Sequence, residues 1–273
     1  LFRYLNLPGV LGLFVVGLSL LAVRFSGLSR KGMALLALPV LVADAFLVFL
    51  MVYADNHVRF DDFFAAEKTG TAREVAHGWN EFSRVSVIEI THPGGGKYFK
   101  IIHDNAQSNV EVAPYSPGKT RNARLPQSTE VLFLTGRPVQ DVLVMFAGCG
   151  AQMIPFYEFS GGKARITGVE LNPLVKELAV KTPELASFRL GEFYQLPDVD
   201  LRVAEGRAFL VNEPKKYDVI FVASKAPMNH QLTGHSRKYL DTVEAYGLYL
   251  DHLKPGGVLC FNHQPLGDVV STL

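Results

Sequence analysis

The run Val142-Leu-Val-Met-Phe-Ala-Gly-Cys-Gly150 decides the fold. It opens as an apolar stretch of strand length and breaks into a Gly-x-Gly turn. About twenty residues beyond that turn a second apolar run, Ile166-Thr-Gly-Val-Glu170, ends in an acid. In open α/β sheets, glycines after the first strand let the backbone approach a ligand, and an acid closing the second strand takes ribose hydroxyls. Ala147, Gly148, Gly150 and Glu170 therefore predict a nucleoside-type pocket.

A dinucleotide site needs Gly or Ala three residues after the second glycine, so that helix and strand pack closely. Met153 stands there, which disfavours NAD or FAD. Further along, Leu201-Arg-Val-Ala-Glu-Gly206 predicts a third strand ending at Glu205-Gly206. Tyr217-Asp-Val-Ile-Phe-Val222 predicts a fourth, and Gly257-Val-Leu-Cys-Phe261 a fifth after the turn Lys254-Pro-Gly-Gly257. Between the last two, Leu240, Val243, Tyr246, Leu250 and Leu253 recur at helical spacing over Tyr239 to Leu253. The fold class is α/β, a doubly wound, mostly parallel Rossmann-like sheet.

From Trp79 to Phe261 the order of these pieces resembles the S-adenosylmethionine-dependent transferases, and most closely the spermidine synthase family of polyamine aminopropyltransferases. Val142 to Ala151 matches that family's glycine motif, and Gly168-Val-Glu-Leu-Asn-Pro173 its ribose-binding strand end. Glu205-Gly206 falls where the family has the acid near the adenine. Tyr239 to Tyr246, with Leu253-Lys-Pro-Gly-Gly-Val-Leu259, matches the helix and turn before strand five. Trp79-Asn-Glu-Phe-Ser-Arg-Val85 looks like the opening of the small β-domain in divergent, membrane-attached members. The resemblance implies binding of S-adenosylmethionine or decarboxylated S-adenosylmethionine by Ala147, Gly148, Gly150, Glu170, Glu205 and Gly206. A methyl or aminopropyl group would then pass to a small-molecule acceptor.

The chain departs from the family where the amine is handled. The family's general base is an aspartate just past strand four, in an Asp-x-x-Asp-Pro pattern; here Ala223-Ser-Lys-Ala-Pro227 has alanine at both positions. Loss of a general base typically costs on the order of 10²–10⁴ in rate. Phe146 replaces a glycine of the family motif, and Cys149 an acid. The Tyr-His-Glu cluster that grips a polyamine is also missing, so ordinary spermidine synthesis is not expected. The alternative to a transferase is a catalytically inactive Rossmann-like scaffold in a larger membrane complex.

With 273 residues and a net charge of +1, no basic stripe points to nucleic acid. Cys149 and Cys260 fall on predicted strands one and five and form no C-x-x-C, which reads as small buried core residues. Gly94-Gly-Gly-Lys97 lacks the following Ser/Thr of a phosphate-binding loop, and Gly118-Lys-Thr120 lacks its earlier glycine. His230 and His235 lie on a loop without a third ligand pattern, so no metal is expected. Val85–Ile90 and Tyr98–Ile102 flank a Pro93-Gly turn and predict a β-hairpin.

Hydrophobic residues make up 48% of the chain, with mean hydropathy +0.16, and the excess lies near the start. Pro8 to Val23 and Met33 to Tyr53 are apolar runs near the roughly 20 residues that span a bilayer core, so a transmembrane helical hairpin is expected. Asp44 lies near mid-span and would face lipid in an isolated pair, which predicts docking against other transmembrane helices or membrane-complex subunits. Basic residues in the linker place it in the cytoplasm and the large domain on the far side. The cytoplasmic supply of S-adenosylmethionine argues for the opposite side. The organisation read from the sequence is a hairpin over 1–56, a linker with a small β-domain over 57–130, and the Rossmann-like domain over 131–273. Because the chain starts at Leu1 and stops soon after strand five, further polypeptide is expected at both ends.

Overall fold

A computed structural model describes residues 7–25, 27, 29–56, 71–92, 94–103, 108–118, 136–223, 240 and 242–261. Two sheets organise these residues. The first is antiparallel, ordered β1 (Thr71–Trp79), β2 (Arg84–Thr91), β3 (Lys97–His103) and β4 (Ser108–Glu111). The expected hairpin is its centre: Ser86 pairs with Ile102 and Ile90 with Tyr98. The turn from β1 into β2 is fixed by Asn80, whose Oδ1 accepts from the amides of Phe82 and Ser83.

The second sheet is parallel throughout, in the order β7-β6-β5-β8-β9. Its strands are β5 (Asp141–Met145), β6 (Arg165–Glu170), β7 (Val199–Val203), β8 (Tyr217–Val222) and β9 (Leu253–Phe261). The crossovers carry α3 (Ile154–Phe159), α4 (Pro173–Lys181), α5 (Leu190–Phe193), α6 (Gly206–Asn212) and α7 (Val243–Asp251). Alternation along β5 divides the core. Val142 and Val144 join one apolar cluster, whereas Leu143 and Met145 join a second on the opposite face. The first cluster also takes in Val85, Val87, Phe99 and Ile101, so both sheets share one apolar interior.

Three boundaries differ from the sequence reading. β7 runs over Val199–Val203, ahead of the stretch from Leu201 to Gly206. The helix expected from Tyr239 begins at Val243, because Thr242 is extended and its hydroxyl accepts from the Ala245 amide. β9 begins at Leu253 rather than Gly257. Leu253 already pairs with Tyr217, and the Pro255-Gly-Gly segment is absorbed as a register irregularity rather than a separate turn.

Lys254 is held there by charge. Its ammonium reaches Asp141 at 2.6 Å and Asp218 at 2.9 Å, where Arg165, Lys215 and Arg137 also converge. Burial opposes ionisation of Asp141, but hydrogen bonds from Arg165, Lys215 and Lys254 overcome it and hold the carboxyl far below its ordinary range. This ionic cluster closes the amino ends of the strands and leaves their carboxyl ends to the site.

The run before β1 forms two paired helices, α1 (Leu7–Phe25) and α2 (Arg30–Asn56). A Cβ on Gly12 would stand 2.5 Å from Val48, so the glycine permits this close approach. Asp44 corrects one expectation: it does not face outward but is buried in the pair, accepting from Ser19 Oγ at 3.1 Å. Among the described residues, no helix is long and apolar enough to cross a membrane. The helical hairpin is therefore present, and the bilayer span expected of it is not shown.

Candidate cofactor site at the strand carboxyl ends

Strand order sets the position of the site. From β5 the chain steps outward through β6 to β7, then returns to β8 on the other side of β5, so the crevice lies beyond the carboxyl ends there. Gly148 and Gly150 turn the chain above β5 with φ of 56° and 84°, conformations that disfavour a side chain. Phe146 also has φ of 56°, a strained value for an aromatic residue at a position where the resembled family has glycine.

Glu170 ties the turn to the neighbouring strand. One carboxylate oxygen accepts from the Gly148 amide at 3.0 Å, the other from the Asn172 amide at 3.0 Å. A carboxylate offers about four acceptor positions, so it keeps capacity for ligand hydroxyls. Glu205 follows β7 and caps α6, accepting from the amides of Arg207 at 3.0 Å and Ala208 at 2.7 Å. Gly148, Gly150, Glu170 and Glu205 thus gather at three adjacent strand ends. The other two assigned positions lie deeper. Ala147 is fully buried, with its amide on the Val169 carbonyl. Gly206 is packed so closely that a Cβ would stand 2.6 Å from Met145 and 3.1 Å from Leu240. Their geometry is that of scaffold beneath the crevice.

Cys149, between the glycines, is fully buried, and burial pushes its thiol up to about 12. It is a core residue at physiological pH, as the sequence suggested. Cys260 is half-buried, and burial raises its thiol too. Ala223 closes β8 beside the turn, its amide on the Met145 carbonyl at 3.0 Å. A buried methyl group therefore stands where the resembled family has its base. Ala226, His230 and His235 lie outside the described residues.

Four side chains without an individual role in the sequence reading complete the site. Asn172 is the junction between the two sheets: its Oδ1 accepts from Asn80 at 2.6 Å and its Nδ2 donates to Ser83 at 3.0 Å. Its Oδ1 also caps α4 through the Leu174 amide. The Asn172-Pro173 pair is a helix-start signal that would have found it. Val110 of β4 lies against Gly148. Tyr194 follows α5, with its hydroxyl 3.0 Å from where a Cβ on Gly150 would stand, and the Lys176 ammonium lies 4.8 Å above its ring. No local pattern in the sequence marks Val110, Tyr194 or Lys176.

No protein-family model matches the chain. Over 107 residues it is 29% identical to a probable polyamine aminopropyl transferase of Bifidobacterium longum (strain NCC 2705), covering 39% of this chain. The chain is similar to the spermidine synthase family. The match spans only 20% of that relative's length. Among solved structures, a spermidine synthase in complex with the transition state analogue AdoDATO overlays with a TM-score of 0.48 at 17% identity, over 73% of this chain and 63% of that one. A SAM-dependent methyltransferase from Geobacter sulfurreducens, in complex with S-adenosyl-L-homocysteine, overlays with a TM-score of 0.33 at 15% identity, over 54% and 48%.

Proposed function

We propose that this spermidine-synthase-like chain binds S-adenosylmethionine or its decarboxylated form and transfers a methyl or aminopropyl group to a small-molecule acceptor. The observation that carries the reading is the Gly148–Glu170 hydrogen bond, which ties a glycine turn to a strand-end acid at the switch point of a parallel sheet. When bound, a sulfonium donor supplies an electrophilic carbon. The remaining roles fall to this chain's residues. The turn from Gly148 to Gly150 offers close backbone approach, Glu170 offers acceptors for ribose hydroxyls, and Glu205 closes the β7 edge beside them.

The acceptor must bring its own nucleophilicity, because Ala223 takes no proton. This favours an acceptor that is already nucleophilic over a protonated polyamine. Isothermal titration of the full chain with S-adenosylmethionine and with its decarboxylated form tests the reading. Saturable binding of either ligand supports it, and absence of both leaves the inactive scaffold as the better account. The missing base at Ala223 is what favours that second reading.

Attachment to a bilayer belongs to the same proposal. Phe14, Leu18, Leu21, Leu38, Phe46 and Phe49 point outward from the paired helices, and lipid or neighbouring helices would cover them. Flotation of the full chain with liposomes, lost on replacing Phe14, Phe46 and Phe49 with serine, would support this; unchanged sedimentation without lipid would refute it.

A further inference from the structure

Tyr194 carries a feature that the fold alone does not explain. Its hydroxyl is sealed from solvent and has no hydrogen-bond partner among the described residues. Buried hydroxyls ordinarily find one, because leaving the group unpaired forfeits its hydration without return. The hydroxyl is aimed at the glycine turn, and the absence of a Cβ on Gly150 admits it. The nearby Glu170 carboxylate already accepts from two backbone amides. Burial, with Cys149 and Glu170 close by, pushes the phenol well above its ordinary range, so it stays a proton donor. Lys176 adds a positive charge over the ring face, which draws electron density from the ring and repels a second cation.

We propose that the Tyr194 hydroxyl is a ligand contact of the glycine-turn pocket and that it donates to a carboxylate oxygen of the bound donor. This rests on the transferase reading above and narrows it, selecting S-adenosylmethionine over the decarboxylated form. The decarboxylated donor ends in a bare propylammonium. It offers Tyr194 no acceptor and brings positive charge towards Lys176.

Titration of the full chain, its Tyr194→Phe variant and its Lys176→Gln variant with both donors provides the test, together with thermal unfolding in the absence of ligand. The parent is expected to bind S-adenosylmethionine more tightly than the decarboxylated form. Tyr194→Phe should weaken S-adenosylmethionine roughly 10- to 100-fold, as expected for a lost hydrogen bond to a charged group. Binding of the decarboxylated form should change by less than about twofold, within the effect of a contact it does not make. Without ligand, Tyr194→Phe should unfold at the same temperature as the parent or higher, since a hydroxyl with no partner among the described residues has been removed. Lys176→Gln should narrow the preference between donors, and it carries the test if the phenylalanine variant does not fold. Unchanged S-adenosylmethionine affinity in Tyr194→Phe overturns the assignment while the transferase reading stands. Equal weakening of both donors, or a lowered unfolding temperature, overturns the carboxylate contact. If the parent binds neither donor, the assignment and the transferase reading fall together.

Discussion

Met153 fills the space that a side chain on Gly168 would need: a Cβ built on that glycine overlaps the Met153 sulfur and lies 2.9 Å from the Ala147 methyl. Dinucleotide-binding folds achieve this close helix–strand packing with a small residue on the helix side. Here the small residue is on β6 and the large one follows the turn. The contact supports the floor of the crevice rather than its rim. Replacing Gly168 with alanine should destabilise the protein by about 1–3 kcal/mol, the usual cost of overpacking a filled core. Adding Met153→Ala to that background should restore part of the loss in urea unfolding. A Gly168→Ala variant as stable as the parent would show that the contact relaxes freely.

Glu170 bridges two backbone amides, so its substitution should be felt before any ligand is added. In Glu170→Gln the amide group must present its NH₂ to one of the two N–H donors at Gly148 or Asn172. The expected loss is about 1–3 kcal/mol of stability, the cost of leaving a buried donor unpaired, accompanied by weaker donor binding. Denaturant unfolding and calorimetry on the same variant check both. Intact stability would mean that the turn holds its shape without the bridge.

Acid should unfold the protein through identifiable carboxylates. Asp141 and Asp218 are both held below their ordinary range, burial being outweighed by Lys254 and, at Asp141, by Arg165 and Lys215 as well. For Glu74, burial is outweighed by hydrogen bonds from His77, Arg84 and Ser86, and its carboxyl lies at about 2 against an ordinary 4.5. Because folded values lie below unfolded ones, these groups stabilise fully above the unfolded values, and the contribution is lost as pH falls through the folded values. Melting temperature should therefore decline from roughly pH 5 downward, as for salt-bridged carboxylates in general. Asp141→Asn should lower stability at neutral pH and flatten that acid limb. A limb of unchanged slope in Asp141→Asn would place the titration elsewhere.

Ala223 sets the limit on aminopropyl transfer. The parent should make spermidine from putrescine no faster than background, and Ala223→Asp should raise the rate by about 10²-fold or more, as restoring a general base does. The assay is product formation at slightly alkaline pH with the decarboxylated donor. Robust activity in the parent would show that another residue serves as the base.

In the helical hairpin, removing either partner of the Ser19–Asp44 pair should have unequal effects. Ser19→Ala leaves the buried carboxyl without its donor and should cost about 1–3 kcal/mol. Asp44→Leu removes an oxygen that lacks a partner among the described residues, and should be neutral or stabilising. Thermal loss of helicity in detergent micelles separates the two; a larger loss in Asp44→Leu would assign the aspartate a contact beyond Ser19.

Sequence alone was enough for the parallel sheet, because the strands opening at Val142, Ile166, Tyr217 and Gly257 are mostly apolar runs, and the first two close on a glycine turn and an acid, punctuation that is local. It determined Gly148, Gly150, Glu170 and Glu205 as strand-end residues for the same reason. It did not determine how deeply each is packed: Ala147 and Gly206 belong to the same pattern, and Val169, Met145 and Leu240 close around them. Nor could periodicity reveal Asn172 as the link between the sheets, since its partners Asn80 and Ser83 are about ninety residues away. Tyr194 was equally hidden, and Asp44, conspicuous as a charge in an apolar run, gave no sign that Ser19 is its partner. Their significance rests on what each oxygen lacks or meets in three dimensions, and hydrogen-bond satisfaction is a property of tertiary neighbours that no local spacing encodes.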